Sequence, residues 1–314
     1  MKIMILGGCG YIGTTLVEKL LEKNYALVVV DIQWFGNYLK KNKNLEIIKK
    51  DIRNLEFKDF NNISTIIHLA NIANDPAVEL NRNLSWEVNV LATQQISDLA
   101  IRAGVKNFIY ASSGSVYGIK NEDKVTEDLQ LVPLSTYNQT KMIAERILFS
   151  HQDDMKIYCI RPATVCGYSS RMRLDLTVNM LTMQALKNKK ITVLGGNQIR
   201  PNIHIQDMVN VYLHFLSNLN LPSGCYNAGF ENLSVLDIAK KIQKKIPSEI
   251  IISNSNDLRS YRLDSSRLIS SGFEVKYVIE NAIDEVIQYF NKGILKDEES
   301  FYTVNWMKKL NLES

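Results

Sequence analysis

The segment from Met1 to Asp31 constrains the fold of this chain more than any other. The apolar run Met1-Lys2-Ile3-Met4-Ile5-Leu6 enters the turn Gly7-Gly8-Cys9-Gly10-Tyr11-Ile12-Gly13, which opens an amphipathic stretch over residues 11–23; a second apolar run, 26–30, ends at Asp31. Glycines also end strands for purely structural reasons, so a glycine fingerprint alone is weak evidence. Strand, glycine turn, helix, second strand and terminal carboxylate in this order are far more specific. Such a turn lets backbone amides and a helix N-terminus approach a pyrophosphate without obstruction by side chains. Asp31 is placed to accept hydrogen bonds from adenosine ribose hydroxyls, and its charge repels a 2′-phosphate, which implies NAD rather than NADP. Asp51-Ile52, after the third apolar run, is within reach of the adenine, although a loop carboxylate explains it equally well.

Short apolar runs continue to alternate with amphipathic stretches beyond Asp31. Strands are expected at residues 46–48, 65–68, 107–111 and 156–160, with helices at 85–103 and 135–150. This predicts an α/β fold, a doubly wound parallel sheet of the Rossmann class covered on both faces. From about Pro162 the alternation weakens, and helices at 176–187, 205–216 and 234–245 mix with short strands at 191–194 and 250–253. The division expected is a cofactor-binding domain over residues 1–165, with returning segments near 200–230, and a smaller mixed α/β substrate lobe over residues 166–314.

Tyr137-Asn138-Gln139-Thr140-Lys141 falls in one of these helices. Residues four apart share a helix face, so the Lys141 ammonium can sit near the Tyr137 phenol. An unperturbed tyrosine titrates at about pH 10, and a neighbouring cation lowers that value toward the range of a general base at neutral pH. The pair is therefore expected to take a proton from an alcohol while a nicotinamide takes the hydride.

Bulk properties exclude several classes. At 314 residues with 46% hydrophobic content, the chain has material for one large domain or two modest ones. Lys plus Arg number 37 against 33 Asp plus Glu, a net charge of +4 with no dominant field. The lysine-rich runs at 40–41, 49–50, 187–190 and 240–245 are not interleaved with aromatics and read as solvated faces, so no nucleic acid is expected as a partner. Cys9, Cys159, Cys166 and Cys225 lack metal-ligand or disulfide spacing and read as small hydrophobes, so no metal is expected. No apolar run approaches the length of a bilayer span, and no signal peptide precedes the first strand; a cytoplasmic protein without membrane contact is expected.

These motifs, with His68-Leu69-Ala70, Glu87-Val88-Asn89-Val90, Ser112-Ser113-Gly114-Ser115-Val116-Tyr117-Gly118, Arg161-Pro162 and Arg200-Pro201-Asn202-Ile203-His204-Ile205-Gln206-Asp207, carry a family resemblance. Over nearly its whole length the chain resembles the extended short-chain dehydrogenase/reductase family, in particular its nucleotide-sugar epimerases, dehydratases and dehydrogenases. The resemblance implies catalytic roles for Ser113, Tyr137 and Lys141: Ser113 would hydrogen-bond the reacting hydroxyl, Tyr137 would remove its proton, and Lys141 would hold the nicotinamide ribose. Cofactor contacts would come from Gly7, Gly10, Tyr11, Ile12, Gly13, Asp31, Asp51, Ile52, Leu69, Ala70 and Asn89, the last in a bracing role. Sugar 4,6-dehydratases of the family follow the catalytic hydroxyl with an acidic pair, since eliminating water needs an extra acid and base. Gly114-Ser115 stands there instead, which disfavours dehydration, and the turn lacks the cysteine that 3,5-epimerases place in it. Simple alcohol oxidation remains, ending at a ketone or reversing on the other face of the sugar.

The same resemblance puts the substrate against Arg200, Arg259 and Arg262, whose planar guanidinium groups suit a pyrophosphate, and against Asn74, Ser113, Arg171 and Asn179. His204 reads as structural, because Tyr137 already supplies a base. Residues 161–207 are most similar to bacterial enzymes of surface-polysaccharide sugar biosynthesis, in particular GDP-heptose 4-dehydrogenases of capsule pathways. The function implied is NAD-dependent oxidation of the 4-hydroxyl of a nucleotide sugar, with GDP-linked heptose favoured, to a 4-keto sugar. A 4-epimerase using bound NAD is the alternative in the same class, and a non-catalytic NAD-binding regulator the alternative in another. A homodimer built on the helices at 85–103 and 135–150 is also implied by the resemblance.

Overall fold

The computed structural model describes residues 1–254 and 260–312. Strand β1 (Lys2–Leu6) leads through the glycine turn into helix α1 (Tyr11–Glu22) and strand β2 (Ala26–Asp31). The first half continues with β3 (Leu45–Lys49), β4 (Thr65–His68), α2 (Asp75–Leu80), α3 (Arg82–Trp86), α4 (Ala92–Arg102), β5 (Asn107–Ala111), α5 (Thr136–Phe149) and β6 (Lys156–Pro162). The second half begins with β7 (Thr164–Cys166), α6 (Thr177–Asn188), β8 (Lys190–Leu194), β9 (Ile199–His204), α7 (Ile205–Ser217) and β10 (Gly224–Ala228). It ends with β11 (Glu231–Ser234), α8 (Val235–Lys245), β12 (Glu249–Ser253), α9 (Ser266–Ser270), α10 (Ile279–Asn291) and α11 (Thr303–Lys309).

Seven strands form one sheet in the order β10-β6-β5-β4-β1-β2-β3, with every neighbouring pair parallel. Ile3, Met4, Ile5 and Leu6 of β1 are all fully buried because helices cover both faces of the sheet. Ile3 and Ile5 pack in one cluster with Leu16 of α1 and Tyr212 of α7, whereas Met4 and Leu6 pack in another with Ile96 of α4 and Leu148 of α5. This is a Rossmann-like α/β fold. Its strand order reverses between β1 and β4, and such a switch point opens a crevice at the carboxyl ends of the strands.

The remaining strands lie apart from this sheet. β7, β9 and β11 form a three-stranded sheet and β8 pairs with β12. Val178 and Leu181 of α6, Ile191 and Val193 of β8, Ile238 of α8 and Ile283 of α10 enclose a third core. The chain passes repeatedly between these parts: α7 packs on α1, β10 completes the seven-stranded sheet, and α11 returns to lie against α2. Among the described residues no helix is long and apolar enough to cross a membrane.

Two features depart from the expectations. The single helix at 85–103 is instead α3 and α4 joined by a π-helical turn, Glu87–Leu91. Within that turn the buried Asn89 accepts from the Ile72 amide at 2.9 Å through Oδ1 and donates to the Ile72 carbonyl at 3.1 Å through Nδ2. The wider turn accommodates a side chain that satisfies the backbone of the loop after β4, a use common to such bulges. Strands β7, β9, β10 and β11 and helices α2, α9, α10 and α11 lie outside the elements expected from the sequence.

Candidate active site

A cavity of about 550 Å³ lies at the carboxyl ends of the sheet, lined by residues that follow β1, β2, β4, β5 and β6. Gly7, Gly10, Tyr11, Ile12, Gly13, Asp31, Asp51, Ile52, Leu69 and Ala70 all line it. Gly7 has φ +81°, and a Cβ there would stand 2.5 Å from the Ala70 nitrogen; one on Gly13 would stand 2.5 Å from the Gly7 carbonyl oxygen. These glycines therefore let α1 begin close against β1 and β4. The N-cap of α1 is Gly10, which has no side-chain acceptor, so the first-turn amides remain available to an anion. Asp31 accepts from the Cys9 amide at 2.9 Å and from the Gln33 amide at 2.7 Å. Burial raises its pKa, and those two amides and Arg171 act in the opposite direction. A glycine cradle, an uncapped helix N-terminus and a carboxylate at the end of β2 together fit a dinucleotide such as NAD.

Asp51 is less free than its position suggests. It caps the short 3₁₀ turn Ile52–Asn54 and receives Arg53 as a fork, Nε at 3.1 Å and Nη2 at 2.7 Å from Oδ2. Burial pulls its pKa up, but the Arg53 hydrogen bonds prevail and hold it below the ordinary carboxylate value.

The other part of the cavity carries the catalytic candidates. Ser113 caps the 3₁₀ turn Gly114–Tyr117, accepts from the Ser115 amide at 3.2 Å, and lies 2.7 Å from the Ser115 hydroxyl. Ser115 in turn donates to Asn138 Oδ1 at 2.5 Å. Tyr137 and Lys141 stand one turn apart on α5, and the Ser113 hydroxyl is close enough to the Tyr137 phenol to lower its pKa. Lys141 is buried; its Nζ donates to the Ala111 carbonyl at 2.6 Å and lies 5.8 Å from the Tyr137 ring centroid.

The electrostatics of the pair differ from the simple expectation that Lys141 lowers the tyrosine pKa. Burial pushes the Tyr137 phenol up to about 12 with the Asp75 carboxylate adding to the rise, while the Ser113 hydroxyl and Arg173 oppose it. Burial likewise pushes Lys141 down to about 7, against the pull of Glu145. With only protein groups around them, both side chains are driven toward neutrality, because a low-dielectric setting disfavours either charge.

The expected substrate contacts are scattered. Asn74 lines the cavity at φ 80°, where its Oδ1 caps α2 through the Ala77 amide at 2.9 Å. Arg200, on β9, also lines the cavity. Arg171 does so too, but beside Phe35 in the loop that follows Asp31. Asn179 does not reach the cavity: it accepts from the Gly167 amide at 3.0 Å and donates to the Tyr11 phenol at 3.1 Å and the Arg173 carbonyl at 3.0 Å. Asn89 is likewise a brace outside the lining. Arg262 is exposed and outside the lining, because neighbours in an extended segment point to opposite sides and Tyr261 takes the inward one. Arg259 lies outside the described residues. The His204 ring stacks on Tyr277 and accepts from the Gln206 amide at 3.1 Å, away from the cavity.

Three further charged groups enter the site: Asp75, beside Asn74, Arg173, in the same loop as Arg171, and Asp175. Asp75 accepts from the Ser135 hydroxyl and lines the cavity near Tyr137. Arg173 forms a fork on Asp175, at 2.9 Å and 2.8 Å, and both line the cavity. The Asn74-Asp75-Pro76 sequence directly after β4 is the local signal for the first of these positions.

Comparisons with known proteins agree with this fold. The family described as the NAD dependent epimerase/dehydratase family matches residues 3–229. A putative UDP-glucose 4-epimerase of Methanocaldococcus jannaschii is 26% identical over 304 residues, covering 93% of this chain and 99% of that protein. UDP-glucuronic acid decarboxylase 1 of Danio rerio is 26% identical over 314 residues, covering 93% of this chain and 73% of that protein. The crystal structure of UDP-glucuronic acid 4-epimerase from Bacillus cereus, in complex with UDP-glucuronic acid and NAD, matches with a TM-score of 0.82 at 26% identity, covering 93% of this chain and 99% of that one. This chain belongs to the NAD-dependent epimerase/dehydratase family.

Proposed function

We propose that this chain is an NAD-dependent 4-epimerase of a nucleoside diphosphate sugar, with a UDP-linked sugar as substrate. The observation that carries this reading is that one cavity joins Asp31 and the uncapped start of α1 to the neighbouring Ser113 and Tyr137, with Lys141 beside them. Bound NAD supplies a hydride acceptor that can give back what it takes. Ser113, oriented by Ser115 and through it by Asn138, holds the sugar 4-hydroxyl while Tyr137 removes its proton. Arg173 and the Ser113 hydroxyl favour the phenolate this requires, and the positive charge of an oxidised nicotinamide acts in the same direction.

Water elimination is less well supported. A Cβ on Gly114 would lie 3.1 Å from the Pro162 carbonyl oxygen, so the turn has little room for an acidic side chain beside Ser113. The names of the relatives favour UDP-linked sugars and, in two of the three, 4-epimerisation. The finer expectation of GDP-linked heptose oxidation for a capsule finds no counterpart among them, and net oxidation to a keto sugar is the rival outcome. A homodimer through the face of α4 and α5, where Leu91 is exposed, goes with this reading and is tested by sedimentation velocity.

The deciding experiment incubates the purified protein and NAD with UDP-glucose, UDP-galactose and UDP-glucuronic acid, and in parallel with GDP-linked sugars, followed by NMR of the products. An inverted 4-hydroxyl with no net NADH supports the epimerase. A keto sugar with stoichiometric NADH replaces it with a dehydrogenase, and retained NAD without any turnover replaces both with the non-catalytic regulator.

A further inference from the structure

We infer that Arg171 binds the diphosphate of the dinucleotide cofactor, and so clamps that cofactor from the second half of the chain rather than contacting the nucleotide sugar. The inference rests on the reading that this cavity holds NAD.

Arg171 is 3% exposed, and its guanidinium carbon lies 4.3 Å from the Phe35 ring centroid. Its Nη1 donates to the Met172 carbonyl at 3.0 Å, while the buried Nε has no partner. The neighbouring arginines of the site are held differently: Arg173 forks onto Asp175 and Arg161 onto Glu145. Among the described residues no carboxylate forms an ion pair with Arg171. Asp175 and Asp31 are near enough to interact with it electrostatically, but Asp175 is paired with Arg173 and no hydrogen bond joins either carboxylate to Arg171 among the described residues. Burial, with Arg173 adding to it, pushes the Arg171 pKa down to about 9 against the pull of Asp175, Tyr38 and Asp31. A buried guanidinium in this condition is unfavourable until an anion reaches it.

Place and shape identify that anion. Phe35 belongs to the loop after Asp31, whose carboxylate marks the adenosine ribose, and the group that follows this ribose in a dinucleotide is the diphosphate. A planar fork of N–H donors suits phosphate oxygens. The loop that delivers Arg171 is tied to α1 itself: the Tyr11 phenol donates to the Gly167 carbonyl at 2.7 Å, and Ser169 Oγ donates to the Tyr11 carbonyl at 2.9 Å. The helix whose N-terminus would face the diphosphate is thereby joined to the loop that carries Arg171. A clamp of this kind keeps the cofactor in place between hydride removal and hydride return.

Arg171→Met removes the charge at similar volume, and Arg171→Lys keeps a charge without the fork. Titration calorimetry with NAD should show a dissociation constant weakened roughly 10- to 100-fold in the methionine variant and less in the lysine variant. UDP should bind both variants as it binds the wild type. The methionine variant prepared free of NAD should melt at the same or a higher temperature than the wild type, since an unpaired buried charge has gone. Unchanged NAD affinity in both variants overturns the inference, and so does weakened UDP binding with NAD affinity intact. Failure of the wild type to bind NAD at all overturns it together with the cofactor reading, whereas NAD binding by the wild type and both variants alike overturns the clamp alone.

Discussion

Tyr137 and Asp75 share one end of the cavity, and the Asp75 carboxylate opposes ionisation of the Tyr137 phenol. Its negative charge stabilises the neutral tyrosine, so neutralising Asp75 should lower the phenol pKa. In Asp75→Asn, the limb of the pH–rate profile that rises with Tyr137 ionisation should move to lower pH. Ultraviolet difference titration against Tyr137→Phe reads the same shift directly. A limb that stays in place or moves upward would show that Asp75 does not act on the tyrosine.

Removing the phenol hydroxyl removes the base proposed to act beside Ser113. Tyr137→Phe should lose about 10²- to 10⁴-fold in kcat, the range for general-base catalysis, while NAD affinity stays near the wild-type value. Full turnover in this variant would refute the proposed proton transfer.

Behind the site a buried network supports Ser112, the neighbour of Ser113. Glu145 accepts from Ser112 Oγ at 2.5 Å and from Arg161 at 2.9 Å and 2.7 Å, and Arg161 also donates to the Tyr117 hydroxyl at 2.8 Å. Glu145→Ala strands a guanidinium that is 4% exposed, so urea unfolding should show a loss of about 3–5 kcal/mol. A loss below about 1 kcal/mol would mean that the network relaxes to another partner.

His68 makes stability depend on pH in a definite direction. The ring is fully buried against Phe108 and Tyr110, and burial, with Lys141 adding to it, pushes its pKa from 6.5 down to about 3. Below pH 6.5 the unfolded chain takes up a proton that the folded chain refuses, so stability falls as the pH falls from 6.5 toward 3. By pH 5 the loss from this residue is about 2 kcal/mol. Relative to the wild type, His68→Leu should lose about 2 kcal/mol less between pH 7 and pH 5 in denaturant titrations. Parallel curves for the two proteins would assign the acid sensitivity elsewhere.

Local spacing carried much of the site into view. The order of the glycine turn, α1, β2 and Asp31 is written within a single βαβ unit, and Tyr137 and Lys141 within one helical turn, so neighbouring residues fix both. Their ionisation did not follow from that spacing. Lys141 faces Tyr137 as a helix requires, yet the phenol's ionisation is governed first by burial and then by Asp75, Ser113, Arg173 and Tyr261, which other segments bring in.

The same distinction separates the residues that reach the cavity from those that do not. Sequence by itself determined the alternating strands and helices, the parallel sheet, the glycine turn at the start of α1 and the placing of Tyr137 and Lys141 one turn apart on α5, because each depends on periodicity or on contacts a few residues long. Tertiary structure decided that Asn179 braces Tyr11, 168 residues away, that Asn89 closes the backbone of Ile72, and that Arg171 enters beside Phe35 at the Asp31 end. The physical reason is that a polar side chain goes wherever packing leaves a backbone group or a charge to satisfy, and distant segments supply those groups only once the chain has folded.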